Sequence, residues 1–451
     1  MKTQVTSAIS AREADAAFAG LEAFDRVVLA VSGGPDSMAL MVLAAEWRAR
    51  MPSDAPLLSV ATVDHGLRPE SHAEAELVAE EARRLGLAHT TIPWNGEKPS
   101  TGLPAAARDA RYRLLTDHAG TLGGGRMAIV TAHHRDDQAE TFAMRLARGA
   151  GIDGLAGMRS ERPVHGGLPI MLVRPLLAFS KERLVATLAA RGIAYAEDTT
   201  NSDRRYERAR VRSLASRFAG VGLSADAIAT SARRLGEARD ALSYAERCFV
   251  ASLDISFGNE VFARLDRKAF EAGPIFLRQK IIARLIARYG GASPSPQLCE
   301  VEDLVARMQR EGASAATLGG AMISTGSRFI RVWREVGRLD PAEVTLTPGV
   351  AQVWDGRFVV RWAGHAARYS GRHNSNSVIV KPLGKGGYAS IVGSLAPGHR
   401  PPTRASLAVP AFWTGGRLLA APSLAPFAQL DGPPLDPGGY ELAALADNAA
   451  F

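Results

Sequence analysis

Arg26-Val-Val-Leu-Ala-Val-Ser-Gly-Gly-Pro-Asp-Ser37 decides how the first two hundred residues are read. The apolar run Val27–Val31 is short and β-branched, and reads as a buried strand. Ser37–Ala49 follows with helical spacing. Between them lies Ser32-Gly-Gly-Pro-Asp-Ser37. Its two glycines let the backbone turn tightly and approach a ligand without interference from a Cβ. The helix that follows turns its free N–H groups and the positive end of its dipole toward the loop. Ser32 and Ser37 add hydroxyl groups. The result is an anion cradle at the carboxyl end of a strand, suited to phosphate. It is not a Walker loop, because GxxxxGK[ST] is missing. The plainer alternative is a Gly-Gly turn with Asp36 as a helix N-cap.

Working outward, strand-like and helical runs alternate through residues 21–200. Leu57–Val63, Ala88–Pro93, Met127–Ala132 and Met171–Arg174 read as further strands. Ala73–Leu85, Ala105–Ala119, Asp136–Arg148 and Lys181–Arg191 read as helices. Such alternation predicts an α/β fold, a parallel sheet with helices on both faces, with ligands at the carboxyl ends of its strands. Residues 203–217 carry six Arg against Asp203 and Glu207 and read as a boundary helix or linker. Residues 223–311 are helical by pattern, most clearly at Ala225–Phe249 and Pro274–Tyr289, and Gly326–Arg334 is strand-like. Beyond residue 340 Pro and Gly become frequent. The expected division is a catalytic α/β domain at 1–217, a mainly helical domain at 218–340, and a small, basic C-terminal α+β domain at 341–451.

The chain has 451 residues, with 54 Lys+Arg, 46 Asp+Glu and a net charge of +8. That length supports two to four domains. A hydrophobic share of 46% excludes wholesale disorder. No apolar run is long enough to span a bilayer, so no membrane partner is expected. The opening residues lack an apolar h-region, so no secretory signal is read and a cytoplasmic location is expected. Cys248 and Cys299 make neither a disulfide framework nor a zinc site. From 357 to 430 there are nine Lys/Arg and no acid, whereas 431–451 holds four acids and no base. Phosphate neutralisation drives nucleic-acid affinity. Residues 204–217 and 357–430 are therefore the expected RNA footprint.

Several polar blocks sit at the predicted strand ends. Asp64 and His65 close the second strand. Arg108 and Arg111, spaced i, i+3, share a face of the helix before strand four, as surface charge or as a phosphate contact. His133, His134, Asp136 and Asp137 follow strand four. Adjacent histidines are not zinc spacing, and no Cys lies near. His133 and Asp137 are spaced i, i+4 and share a face if the helix already begins there, which places those two in the cleft.

Ser32–Ser37 resembles the SGGxDS PP-loop of the ATP pyrophosphatases. Further blocks narrow this. They are Val63-Asp-His-Gly-Leu-Arg68, Ala107-Arg-Asp-Ala-Arg-Tyr112, Thr131–Thr141, Gly149–Met158, Arg174-Pro-Leu-Leu177 and Glu197–Asn201, followed by Arg208, Arg210 and Arg212. Together, residues 26–212 resemble the tRNA(Ile)-lysidine synthase family in the expected order. The resemblance implies a tRNA-binding role for 218–340 and a diverged tRNA contact in 341–451, and it is weaker at Pro397–Arg400 and Phe412–Pro422. It implies an adenine nucleotide alpha hydrolase-like fold and a ligase using ATP and Mg²⁺. Ser32, Gly33, Gly34, Pro35, Asp36, Ser37, Asp64 and His65 would bind ATP. Asp36 and Asp137 would hold Mg²⁺ or accept a proton, and His133, Arg111 and Arg208 would complete the catalytic set. The implied partners are tRNA(Ile) with a CAU anticodon and free L-lysine; a homodimer is left open. The implied reaction adenylates C2 of the wobble cytidine and then replaces AMP by the lysine amine. Rival readings are a PP-loop tRNA thiolase, a PP-loop small-molecule synthetase and a non-catalytic RNA-binding module. Residues 1–247 contain no Cys, which argues against thiolases that use catalytic or cluster-binding cysteines.

Amine attack needs no sulfur. A Cys248→Ala/Cys299→Ala double variant is expected to incorporate labelled lysine into tRNA at the wild-type rate. Loss of the chemical step in a folded double variant would revive the thiolase reading.

Overall fold

The computed structural model describes residues 7–52, 55–66, 70–96, 98, 99, 101–164, 170–196, 207–291, 296–310, 314–339, 343–363, 377–429, 435 and 438–445; for 104, 207–209, 215 and 216 it describes the backbone alone. The chain forms two compact units, Met1–Ala241 and Leu242–Phe451.

The first unit is built on β1 (Arg26–Ala30), β2 (Leu57–Asp64), β3 (Ala88–Pro93), β4 (Met127–Val130), β5 (Glu161–Pro163) and β6 (Ile170–Val173). Their order is β3-β2-β1-β4-β6-β5, with every pairing parallel except β5 with β6. Between and around them run α1 (Ala11–Phe18), α2 (Pro35–Arg50), α3 (Ser71–Arg84), α4 (Leu103–Thr121), α5 (Arg135–Leu146), α6 (Ile152–Leu155) and α7 (Lys181–Arg191). The strands alternate between two cores, as period-2 side chains must. Val27, Leu29, Val60, Val130 and Val173 pack with α1, α2, α3 and α7. Val28, Ala61, Ile129 and Leu172 pack with Leu115 and Ala119 of α4. The expected parallel sheet with helices on both faces is therefore the fold found. The edge strand β5 is absent from the sequence reading. It has three residues and ends in Pro163, too little to show a period.

Helix ends follow local chemistry. Ser180 accepts a hydrogen bond from the Arg183 N–H to cap α7, and Gly192 terminates it at φ +65°. The basic run after residue 203 continues as α8 (Glu207–Ser213) and α9 (Ala215–Gly220), and α10 (Ala225–Ser252) crosses the boundary between the units.

The second unit departs from a purely helical reading of 223–311. Phe262–Asp266 is a strand, β7. It precedes α11 (Arg267–Ala272), α12 (Ile275–Tyr289) and α13 (Leu298–Arg310). It pairs with residues far later in the chain, so five residues gave no local signal. With β8 (Ser314–Leu318), β9 (Ala321–Thr325) and β10 (Phe329–Arg334) it makes an antiparallel sheet, ordered β7-β10-β9-β8. Its inner face, including Ala263, Leu265, Ile323, Ile330 and Val332, packs on α12 and α13.

The remainder is two small antiparallel sheets with short helices. The strands are β11 (Val344–Leu346), β12 (Gln352–Trp354), β13 (Phe358–Trp362), β14 (Val378–Pro382), β15 (Pro410–Thr414), β16 (Arg417–Ala420) and β17 (Tyr440–Ala444). They assemble as β11-β14-β15-β16 and β12-β13-β17. Among the described residues no helix is long and apolar enough to cross a membrane.

Asp355 and Gly356 turn the chain between β12 and β13, with φ +52° and +62°. Asp-Gly suits such a turn because Asp tolerates the left-handed region and Gly enters it freely. The turn also positions Asp355, which is wholly buried. Its oxygens accept two 2.7 Å hydrogen bonds from Arg334 and one of 3.1 Å from Arg357. Arg334 also donates to the Gly320 carbonyl at 2.8 Å. The carboxylate thus ties β10 to the β12–β13 hairpin.

This changes the reading of the acid-free stretch 357–430. Arg357 is buried against Asp355, Arg361 pairs with Glu441 at 3.4 Å, and Lys381 pairs with Glu343 at 3.5 Å. Acids outside the stretch in sequence meet it in space. Arg368 and Arg372 lie outside the described residues.

Removing one partner of a buried ion pair strands the other charge, at a cost of about 3–5 kcal/mol. Arg334→Ala is accordingly expected to lower unfolding stability by roughly that amount in denaturant titration of the full chain. A loss under about 1 kcal/mol would show that Arg357 alone satisfies Asp355.

Candidate active site

The phosphate-type loop leaves β1 at the carboxyl edge, where the Val31 N–H still donates to the Ala61 carbonyl at 3.0 Å. Gly33 has φ +87°, and a Cβ there would lie 3.3 Å from both Cβ and the carbonyl oxygen of Glu74. Only glycine satisfies both the conformation and the close approach. Gly34 is the N-cap of α2, with Pro35 in its first turn. The Ser32 N–H donates to Ser37 Oγ at 3.1 Å, and that hydroxyl donates to the Gly34 carbonyl at 3.0 Å. Ser37 therefore shapes the loop. From the segment after α7, the Ala196 N–H holds the Gly33 carbonyl at 2.9 Å.

Asp36 does not cap the helix; α2 has no side-chain cap. Its carboxylate turns instead toward His134, with Oδ2 3.5 Å from Nε2. Asp137 Oδ2 lies 3.4 Å from the same nitrogen, and Asp136 Oδ2 lies 3.4 Å from Nδ1. His134 is almost wholly buried. Burial alone would push its pKa down, but Asp136, Asp36 and Asp137 overcome this and raise it to about 10. The Nδ1 contact lacks hydrogen-bond alignment, so charge attraction holds it. Asp136 is raised by burial, yet His134 and the Lys181 N–H bring it down to about 2. Lys181 Nζ reaches Asp36 Oδ2 at 3.9 Å. With these groups ionised, three carboxylates, one imidazolium and one ammonium leave the cluster at −3 + 2 = −1.

His133 and His134 separate because α5 begins only at Arg135. His133 precedes the helix, so the i, i+4 face expected for His133 and Asp137 does not form. His133 Nδ1 is 2.8 Å from the Thr131 hydroxyl. Asp137 accepts the His134 N–H at 3.0 Å, as the third helical residue of a capping box. His134 is the member of the block that sequence spacing missed. Its signal was its place immediately before the helix, where an N-cap side chain turns back over the first turn.

On β2, Asp64 accepts the Gly66 N–H at 2.8 Å, which holds its carboxyl below the usual range. Beside it, Arg111 donates to His65 Nε2 at 3.3–3.4 Å, and Trp94 packs edge-on against the imidazole at 5.7 Å between centroids. Burial first, then the Arg111 charge, pushes His65 down to about 4, so it is neutral at pH 7. The opposite shifts of His65 and His134 follow from their neighbours, a cation in one case and carboxylates in the other. Arg108 lies over Tyr112 rather than beside His65. Near Tyr112 also lie Arg162 and the buried Arg174, whose Nη1 donates to the Arg159 carbonyl at 2.8 Å.

The Arg208 side chain lies outside the described residues. Four residues along, Arg212 donates to the buried Glu140 at 2.7 Å. Burial would lower its pKa; Glu140, with Asp137 and Asp36 farther off, raises it. Cys248 and Cys299 are both free and exposed.

Residues 5–217 match the PP-loop domain family. The chain is 45% identical over 339 residues to a tRNA(Ile)-lysidine synthase of Rhodopseudomonas palustris, covering 72% of this chain and 95% of that one. It is 37% identical over 404 residues to the tRNA(Ile)-lysidine synthase of Ruegeria pomeroyi, with 88% of each chain covered. Among solved structures it is similar to the U34-tRNA thiolase NcsA from Methanococcus maripaludis, at 15% identity and a TM-score of 0.43, covering 50% of this chain and 78% of that one. With identities of this size running across most of both chains, and a PP-loop whose strand, glycines and helix stand where the motif requires them, the chain belongs to the tRNA(Ile)-lysidine synthase family.

Proposed function

We propose that the chain ligates L-lysine to C2 of the wobble cytidine in a tRNA(Ile) with a CAU anticodon, forming lysidine and releasing AMP and pyrophosphate. The observation that carries this reading is the convergence of Asp36, from the PP-loop, with Asp137 on one buried, protonated histidine. We place the reaction in the cytoplasm, with its tRNA. The three-part division at 217 and 340 remains part of this proposal.

The steps follow from charge. Loop 32–37 and the N-terminus of α2 receive the pyrophosphate part of ATP, because unpaired N–H groups and the helix dipole favour anions there. The C2 carbonyl oxygen of the cytidine attacks the α-phosphate and pyrophosphate departs. Arg111, on the β2 side, and Arg208 are candidates for neutralising that charge. The lysine ε-amine, ordinarily protonated at pH 7, must lose a proton before it attacks C2 and expels AMP. His134 is a poor acceptor because it already carries its proton. Asp36 or Asp137 serves as the base, and the −1 cluster attracts the incoming ammonium. A target base in a single-stranded loop leaves its stack for a few kcal/mol.

Mg²⁺ suits the same donors. Asp36 Oδ1 is buried beside the loop with no hydrogen-bond partner. Among the described residues no three His, Cys, Asp or Glu form a metal site alone. Mg²⁺ characteristically takes one or two carboxylates and completes its shell with phosphate and water. Whichever of Asp36 and Asp137 is not the base would hold it, and it would supply charge neutralisation at the phosphates.

Asp36→Asn is expected to lower lysine transfer by about 10²–10⁴-fold, the range of a lost acid–base group, with an unchanged circular dichroism spectrum. Wild-type transfer in that variant removes Asp36 from the chemistry.

His134 also gives a pH test. Its folded pKa is raised, so its stabilisation is fully present below about 6.5, provided the carboxylates are ionised, and is lost as pH rises through about 10. The stability gap between wild type and His134→Gln should be wide at pH 6 and narrow by pH 10. A gap independent of pH would mean that the imidazole is neutral in the folded state.

A further inference from the structure

The antiparallel sheet of the second unit has an outer face with two distinct rows. In one row, Trp333 of β10 stands between Phe262 of β7 and Met322 of β9. These three side chains are covered by the core that includes Leu383, Leu395 and Leu424. In the next row, Arg331 stands directly opposite Arg264, with Ser324 on its other side. Phe329 lies two residues from Arg331 on the same face. Three guanidinium groups surround its ring: Arg264 at 4.8 Å, Arg328 at 4.9 Å and Arg331 at 5.6 Å from the centroid. Arg264 and Arg328 are exposed, and Arg331 is half-buried.

This is a costly arrangement for a fold to keep. Like charges directly opposite each other across two strands are destabilising. An aromatic ring holds a guanidinium in place but does not neutralise it. Among the described residues no carboxylate forms an ion pair with any of the three. Asp266, on the same face, is occupied as the N-cap of α11, where it accepts the Ala269 N–H at 2.9 Å. By contrast, Arg357, Arg361 and Lys381 in the acid-free stretch all have carboxylate partners. This sheet face therefore carries positive charge without a carboxylate partner among the described residues, inside the segment 218–340 expected to bind tRNA.

We infer that Arg264, Arg328 and Arg331 form a contact site for backbone phosphates of the substrate tRNA. Charge complementarity selects the occupant: two guanidiniums in one sheet row and a third from the β9–β10 turn, gathered about one ring, match a run of phosphodiesters, which Arg binds in bidentate fashion. The aromatic ring fixes the guanidiniums before binding, so little ordering remains. This inference rests on the proposed tRNA substrate and adds the residues that grip it.

The test compares full-length wild type with Arg264→Gln/Arg331→Gln and Arg264→Lys/Arg331→Lys, titrating tRNA(Ile) transcript by fluorescence anisotropy across a salt series. Each lost phosphate contact should reduce the log–log salt slope by roughly 0.7–0.9, hence about 1.4–1.8 for the Gln pair. Relative to 1 M, that amounts to roughly 10- to 30-fold weaker binding near 0.15 M salt. The KM for ATP should stay unchanged, and the Lys pair should keep the wild-type slope. The thermal midpoint of Arg331→Gln should stay the same or rise, because a like-charge opposition has been relieved. Unaltered affinity and slope in the Gln pair would overturn the inference. So would a lowered midpoint with unaltered tRNA affinity, which would make these arginines part of the fold. If wild type binds tRNA through this pair yet incorporates no lysine, the proposed reaction fails while the phosphate contact stands.

Discussion

A buried imidazolium among three carboxylates sets the electrostatics of the catalytic edge. His134 could not be buried as a cation without Asp36, Asp136 and Asp137, and those acids could not crowd together without it. Each acid comes from a different structural demand. Asp36 belongs to the turn of the phosphate loop. Asp137 is the third residue of α5 and accepts the His134 N–H. Asp136 receives the N–H of Lys181 at the start of α7. The cluster therefore joins the first turns of three helices, whose positive dipole ends all favour carboxylates.

The two histidines at the carboxyl edge illustrate how neighbours decide protonation. His65 faces Arg111 and stays neutral at pH 7; His134 faces carboxylates and stays charged. One side of the edge can accept a hydrogen bond from a cation, and the other can draw in an ammonium group. A triphosphate and an amine are the two reactants that such a division serves.

The second unit shows two solutions to buried or crowded charge. Around Asp355 two arginines share one buried carboxylate and the ion pairs fasten a hairpin to a strand. On the outer face of the neighbouring sheet the arginines gather about Phe329, with no carboxylate partner among the described residues. The first arrangement serves the fold. The second costs the fold stability, and polyanion binding gives that cost a purpose.

The α/β architecture and its loop were legible in the sequence, because their signals are local. Val27–Val31 followed by Gly33, Gly34 and Pro35 carries its strand, turn and helix within one short stretch. The helices Lys181–Arg191 and Ala225–Phe249 were equally plain, since apolar spacing repeats along them, and the second runs on to Ser252 in the structure. β5 and β7 were not legible: strands of three and five residues acquire meaning only from partners elsewhere. The choice between His133 and His134 also lay beyond the sequence, because it depends on where α5 begins, and tertiary packing at Phe179 and Lys181 fixes that start. The charge of residues 357–430 was legible only in part, for the same reason. A sequence records the order of charges, whereas Coulomb energy depends on distance, and folding brought Asp355, Glu441 and Glu343 to Arg357, Arg361 and Lys381. By itself the sequence determined the fold class, the phosphate loop and the family. Only the tertiary structure decided which charges are neutralised and which remain available to a ligand, because that depends on contacts between segments far apart in the chain.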